Sequence, residues 1–245
     1  MPGSLKTQAI VLRSIRYGEA DRVLHLYTPE RGRLSAIAKG VRRTKSRFGG
    51  RLEPFFRLDM VLYEPRPPGS DLLTVTSAAT VAGHPRLRED ARALDGAARA
   101  CEAVARVFDD GDPHAGVFHL LANELALLDG DATKATRANA LAFRLKLLLA
   151  AGFAPQLSAC ASCGEREHLV GFSGAAGGVV CSACEAGAFA LSEAAHSFMV
   201  EALGRPLADA PEAEPRALAQ AERAILETLE HHAHVRLRPV GSGAR

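Results

Sequence analysis

Residues 22–38 read RVLHLYTPERGRLSAIA, two short apolar runs on either side of a Pro-Glu-Arg-Gly turn. Strands are the natural reading, because β-branched and aromatic residues are frequent and Pro29-Glu30-Arg31-Gly32 interrupts them too closely for helices. Within the first run Val23, His25 and Tyr27 alternate with Leu24 and Leu26, the pattern of a sheet buried on one face. Working outward, 7–14, 55–63 and 72–81 have the same character, with breaks at Tyr17-Gly18, Lys39-Gly40 and the turn-rich 65–70. Five short strands in about 80 residues fit a small closed barrel of the OB type, which leaves no open sheet edge.

Composition then changes. From 85 to 151 alanine and leucine dominate, and apolar residues recur at helical spacing. Ala138, Leu141, Ala142, Leu145, Leu148 and Leu149 fall on one helix face, with Asp131 and Thr133 as expected N-caps and Gly152 as the stop. The same reasoning predicts helices over 87–108, 113–128, 192–203 and 215–234. The expected fold class is therefore α+β. A five-stranded OB barrel at 1–80 precedes a helical domain at 81–245, which carries a zinc-ribbon-like insertion at about 158–190. The apolar run near the N-terminus is only AIVL before Arg13, too short for a secretory signal, and no stretch has the length of a membrane span. A reducing, cytoplasmic location is the expectation, with cysteines as thiols or metal ligands.

The net charge of +2 conceals an asymmetry. Residues 1–80 hold 14 Lys+Arg against 7 Asp+Glu, and the remainder is acidic on balance. Between 31 and 57 stand nine basic residues, among them Arg31, Arg33, Lys39, Arg42, Arg43, Lys45, Arg47 and Arg51, against one acid, Glu53. A solvated surface normally intersperses the two signs, whereas this run makes a positive potential suited to an anionic polymer. Of the 13 Phe and Tyr, six (Tyr17, Tyr27, Phe48, Phe55, Phe56, Tyr63) lie in this first third. Phe48, inside Ser46-Arg47-Phe48-Gly49-Gly50, is the ring expected to be exposed for base stacking, and the others are expected in the barrel core.

Cys160-Ala-Ser-Cys163 and Cys181-Ser-Ala-Cys184 are two CxxC knuckles 17 residues apart, within the spacing of four-cysteine zinc sites. Four thiolates close the tetrahedron and leave no position for substrate, so the ion is expected to be Zn²⁺ in a structural role. Cys101 lies mid-helix and reads as a core thiol. No nucleotide-binding glycine loop, HExxH or GxSxG occurs. His231-His232-Ala233-His234 sits at a helix end without a partner ligand, and Asp109, Asp110 and Asp112 read as a helix connection. Those observations favour a binding protein over an enzyme. An RNA-binding OB/zinc-ribbon module of transcription or translation remains the alternative at this point.

The run from AIVL through YGEADRVLHLYTPERGRLSAIAKGVRRTKSRFGGRLEPF resembles the opening of the bacterial recombination mediator family RecO. It carries that family's Tyr-x-Glu-x-Asp, Thr-x-x-x-Gly turn, Lys-Gly-x-Arg-Arg and Leu-x-Pro-Phe, with Val41 where Ala is more usual. Phe143-Arg144-Leu145-Lys146-Leu147-Leu148, then Gly152-Phe153-Ala154-Pro155 and Cys160-x-x-Cys163-Gly164, resemble its helix leading into a zinc knuckle. The resemblance implies binding of single- and double-stranded DNA, strand annealing, and help in loading RecA onto strands coated by single-strand-binding protein. It implies RecR and the acidic tail of that coating protein as partners, and a nucleoid-associated location. Lys39, Arg42, Arg43 and Arg47 match the family's basic motif, the four knuckle cysteines its zinc positions, and Arg144 and Lys146 are candidates for the tail contact.

Overall fold

Strand β1 (Ser4–Tyr17) is long enough to pair with two neighbours in succession. Its first half runs antiparallel to β4 (Arg57–Tyr63) and its second half to β2 (Asp21–Thr28), with a bulge between Val11 and Arg13 that bends the strand from one partner to the other. β3 (Gly32–Ala38) follows β2, and β5 (Leu72–Ala82) closes the sheet by pairing parallel to β3 at Ser35–Ile37 and antiparallel to β4. The resulting order, β1-β2-β3-β5-β4 in a closed barrel, is the OB arrangement. The computed structural model describes residues 3–43, 46, 48–64 and 72–240.

Alternation along each strand sends Val11, Leu24, Leu26, Leu34, Leu58 and Leu62 inward. The connection between β3 and β4 completes this core. Phe48 is only 2% exposed and packs with Leu52 among the barrel side chains, so it is a plug and not the exposed ring the sequence suggested. A closed barrel must fill its end, and Gly49 with its positive φ lets the chain turn Phe48 inward. The aromatic residues that do reach solvent in this region are Tyr17 and Tyr63.

Two helices pack with the barrel in one compact unit reaching Ala132. α1 (Ala91–Val107) is capped by Asp90, whose carboxylate accepts from the Arg92 and Ala93 amides, and α2 (Ala115–Gly130) ends at Asp131. α1 therefore starts four residues later than expected, after a 3-10 turn at Pro85–Arg88. The α1–α2 connection lies against the start of β3: the Gly111 amide donates to the Arg33 carbonyl, and a Cβ on Gly32 would meet the Asp112 carbonyl oxygen at 2.0 Å. Glycine is obligatory there, since φ is also +61°. Because the helices bury apolar surface against the barrel, the compact units part between Ala132 and Thr133, further along than the composition change near residue 80.

The second unit is built on α3 (Arg137–Ala150), capped by Thr136 through the Asn139 amide and not by Asp131 or Thr133. α4 (Glu193–Gly204) and α5 (Pro215–Thr228) pack on it, and α5 continues as one π-helical turn at Leu229–Ala233. Between α3 and α4 lies a small sheet of β6 (Leu169–Ser173), β7 (Gly178–Cys181) and β8 (Phe189–Ala190), in the order β7-β6-β8. Cys101 is buried in α1, where burial pushes its thiol up to about 12. No helix among the described residues is long and apolar enough to cross a membrane.

Phe48→Ala is expected to lower the unfolding free energy by about 3–5 kcal/mol, the cost of emptying a filled aromatic site, with Phe48→Leu recovering much of it. Urea denaturation followed by circular dichroism measures this; a loss below about 1 kcal/mol for the alanine variant would contradict the plug.

Candidate nucleic-acid interface and metal centre

The turn joining β1 to β2 and the connection leaving β3 meet at one end of the barrel. The Arg42 amide donates to the Ala20 carbonyl, its guanidinium to the Glu19 carbonyl at 3.1 Å, and the Gly40 amide to the Asp21 carboxylate at 2.8 Å. These bonds hold Lys39, Arg42 and Arg43 exposed on one surface, and among the described residues no carboxylate pairs with any of the three. Arg51 lies in the same connection and donates to the Ala78 carbonyl of β5. Lys45 and Arg47 lie outside the described residues.

Two members of the basic run stand elsewhere. Arg31 and Arg33 flank Gly32 at the start of β3, the strand end opposite Lys39. Arg31 pairs with Glu64 at 3.3 Å on the surface. Arg33 donates from Nε to Asp110 at 2.6 Å and from Nη1 to the Ala105 carbonyl. Its guanidinium is thus engaged in joining the helices to the barrel, unlike those of Arg42 and Arg43, which have no carboxylate partner among the described residues. The run looked continuous because sequence proximity does not reveal which acids fold back onto it.

Arg13 and Arg16 of β1, outside the basic run, are also exposed, on opposite faces of the strand. Arg13 lies opposite His25 across the β1–β2 pair. Burial chiefly, then the positive charges of Arg13 and Arg33, hold His25 below its ordinary pKa, against an opposing effect of Asp110. The signal that could have located Tyr17 on the face of Arg13 is the alternation of β1 carried three residues past Ser14.

The partner-site candidates separate in the same way. Arg144 is only 4% exposed. It faces the buried Glu222 carboxylate at 3.5 Å and donates to the Arg238 carbonyl at 2.6 Å, while Arg137 reaches the other Glu222 oxygen at 2.6 Å and the Val240 amide donates to Glu222. Arg144 is therefore an internal tie to the C-terminal segment and is removed from the surface candidates. Lys146 remains partly exposed, its ammonium donating to the Leu203 carbonyl at the end of α4, and desolvation lowers its pKa.

The cysteines converge as the spacing predicts. Their four Sγ atoms lie within 4.8 Å of one another, with Cys163 Sγ and Cys181 Sγ 3.7 Å apart. A tetrahedral site with metal–sulfur bonds of about 2.3 Å places its sulfurs about 3.8 Å apart, so this set could hold a metal ion. The Gly164 amide closes the first knuckle on the Cys160 carbonyl, and the Cys184 amide closes the second on the Cys181 carbonyl. The chain at Gln156 runs beside β7, where a Cβ on Gly178 would meet the Gln156 oxygen at 2.3 Å, so glycine permits the approach that brings the knuckles together. Backbone hydrogen bonding, led by Cys181, lowers the Cys160 thiol to about 6, whereas hydrogen bonds with Cys163 and Cys181 raise Cys184 to about 12. One sulfur readily carries charge and a neighbour resists it, the behaviour of crowded thiols whose combined thiolate charge calls for a cation.

The family described as Recombination protein O N terminal matches residues 1–84, and that described as Recombination protein O C terminal matches residues 88–239. The chain is 38% identical over 246 residues to the DNA repair protein RecO of Anaeromyxobacter sp. strain K, covering 95% of this chain and 93% of that one. It is 38% identical over 227 residues to the DNA repair protein RecO of Rubrobacter xylanophilus, covering 90% and 88%. Against that of Alkaliphilus metalliredigens it is 36% identical over 181 residues, covering 74% and 72%.

Cobalt(II) added to the metal-stripped chain should give the absorption of tetrahedral thiolate coordination, and Cys160→Ser with Cys163→Ser should abolish it. Acidification should release the ion, since protons compete for ligands that bind only as thiolates. Undiminished cobalt absorption in the double variant would exclude these cysteines as ligands.

Proposed function

The chain belongs to the RecO family of DNA repair proteins, and from that premise we propose that it is a DNA-binding recombination mediator that works by charge and not by catalysis. The observation that carries this reading is the placement of Lys39, Arg42 and Arg43, held exposed on the connection that closes one end of the OB barrel. Lys39, Arg42 and Arg43 face outward while Phe48 and Leu52 of the same connection face inward, so the positive potential belongs to a fixed surface.

Each cation that neutralises a phosphate releases condensed counterions, which makes binding strong at low salt and tolerant of sequence. Single and double strands share that phosphate chemistry, so the surface serves both. A patch that neutralises phosphates of two strands at once lowers their mutual repulsion and favours annealing. The four-cysteine site is read as Zn²⁺ in a structural role, holding the β6–β7 hairpin and the two knuckles as one folded module. Partners on this reading are RecR and the acidic tail of single-strand-binding protein, with Lys146 as the remaining tail candidate, and the product is a strand on which RecA assembles. The work is done at the chromosome, in the cytoplasm. The relatives above are named DNA repair proteins, which favours DNA over an RNA-binding module of transcription or translation.

Replacing Arg42 and Arg43 with Ala should weaken binding alike across DNA sequences. If each guanidinium neutralises one phosphate, the slope of log affinity against log salt should flatten by about 1.8 for duplex and about 1.4 for single strands. Fluorescence anisotropy between low and physiological salt reads this, and an unchanged slope would remove the patch from the interface.

A further inference from the structure

The outer surface of the β1–β2–β3 sheet divides into a covered and an open half. Ile10 lies opposite Tyr27, and Tyr27 opposite Arg33. Ile10 and Tyr27 are fully buried, Tyr27 with the Phe108 ring 6.0 Å away and Arg33 held by Asp110. Further along the same face, Ile15 lies opposite Val23 and Val23 opposite Ile37. Period-two alternation puts Tyr17 on that face as well, two residues beyond Ile15. Among the described residues nothing comparable covers the row: Ile15 is 37% and Tyr17 57% exposed.

An apolar row left open on a sheet could meet a protein or a nucleobase, and the charges around it decide. Arg13 is on the same face, opposite His25, and Lys39 and Arg42 border it from the connection after β3, whereas Arg16 between Ile15 and Tyr17 points to the other face, opposite Arg22. Two acids lie at this edge: exposed Glu19, whose carbonyl is engaged by Arg42, and Asp21 opposite Tyr17, whose carboxylate accepts from the Gly40 amide. A ring set among cations fits a chain that alternates flat bases with phosphates.

We propose that this open half is a stacking platform for single-stranded DNA, with Tyr17 carrying a base and Arg13 and Arg42 meeting the flanking phosphates. It rests on the DNA-binding reading above and adds to it a means of telling strands apart. The basic connection contacts phosphates that every DNA presents, whereas a base reaches Tyr17 only when it is not already stacked inside a duplex. Stacking accepts any base, so the platform confers preference for strandedness and not for sequence.

The test measures affinity of the full chain for an oligothymidylate and for a mixed-sequence duplex by fluorescence anisotropy, with thermal unfolding as the check on folding. Tyr17→Ala should weaken oligothymidylate binding about 5- to 150-fold, the range for loss of one stacked base, and leave duplex binding within about two-fold. Tyr17→Phe, which keeps the ring, should restore most of the single-strand affinity. Photo-cross-linking with 5-iodouracil in the oligomer should label Tyr17. If the wild-type chain binds the oligomer and Tyr17→Ala binds it equally well, the platform is overturned, the face is left to a protein partner, and the phosphate reading stands. Equal weakening toward oligomer and duplex also overturns it. A wild-type chain that binds neither would overturn the DNA-binding reading together with the platform.

Discussion

Closure of the five-stranded barrel is the constraint on which the rest of the first unit depends. A barrel this small has no interior space to leave empty, so its open end must be filled by the connection that crosses it. Phe48 and Leu52 fill it, with Val41 packed beside them. With those side chains committed inward, Lys39, Arg42 and Arg43 of the same connection face solvent. The end of the barrel that is hardest to seal thus becomes its most positive surface. Hydrogen bonds from Arg42 and Gly40 to the β1–β2 turn then hold that surface in place.

In the second unit charge is handled in the opposite way, by burial with compensation. Glu222 is nearly inaccessible and would be costly as an isolated anion, yet Arg137, Arg144 and the Val240 amide surround it. Such a network adds little net stability over apolar packing, but breaking one member leaves a buried charge uncompensated at a cost of about 3–5 kcal/mol. Its value is in register: residues far apart in the chain (Arg137, Arg144, Glu222 and Val240) must meet at one point. The four cysteines likewise bring two separate segments, 160–163 and 181–184, to one point beside the β6–β7–β8 sheet.

How much of this was legible in the sequence depended on whether the deciding information was local. Alternation located all five barrel strands, and the doubled CxxC located the four-cysteine cluster, because each signal is complete within a few residues. Strand ends were less legible: stopping β1 near Ser14 hid the outward row that ends at Tyr17. Phe48 and Tyr17 exchanged places for a related reason. Flanking glycines and arginines made Phe48 look like a loop-tip ring, but whether a ring faces in or out depends on what the barrel end requires. Arg33 and Arg144 were illegible as ion-pair residues because their partners, Asp110 and Glu222, lie 77 and 78 positions away. A basic residue shows its sign in sequence, and only the fold shows whether that charge is already spent.

The net charge of +2 illustrates the same point physically. At physiological ionic strength charges farther apart than about 8 Å are largely screened from one another, so a total over 245 residues has no bearing on a phosphate at the surface. What a phosphate meets is the local set: Arg31 and Arg33 each face a carboxylate, Glu64 and Asp110, whereas Lys39, Arg42, Arg43 and Arg13 have no carboxylate partner among the described residues. The cations now border the open strand face instead of extending the length of β3. A surface of that shape favours a chain that can lay its bases on the sheet and its phosphates along the rim. Coulomb attraction alone, which grows with charge density and so favours the duplex, could not supply that preference.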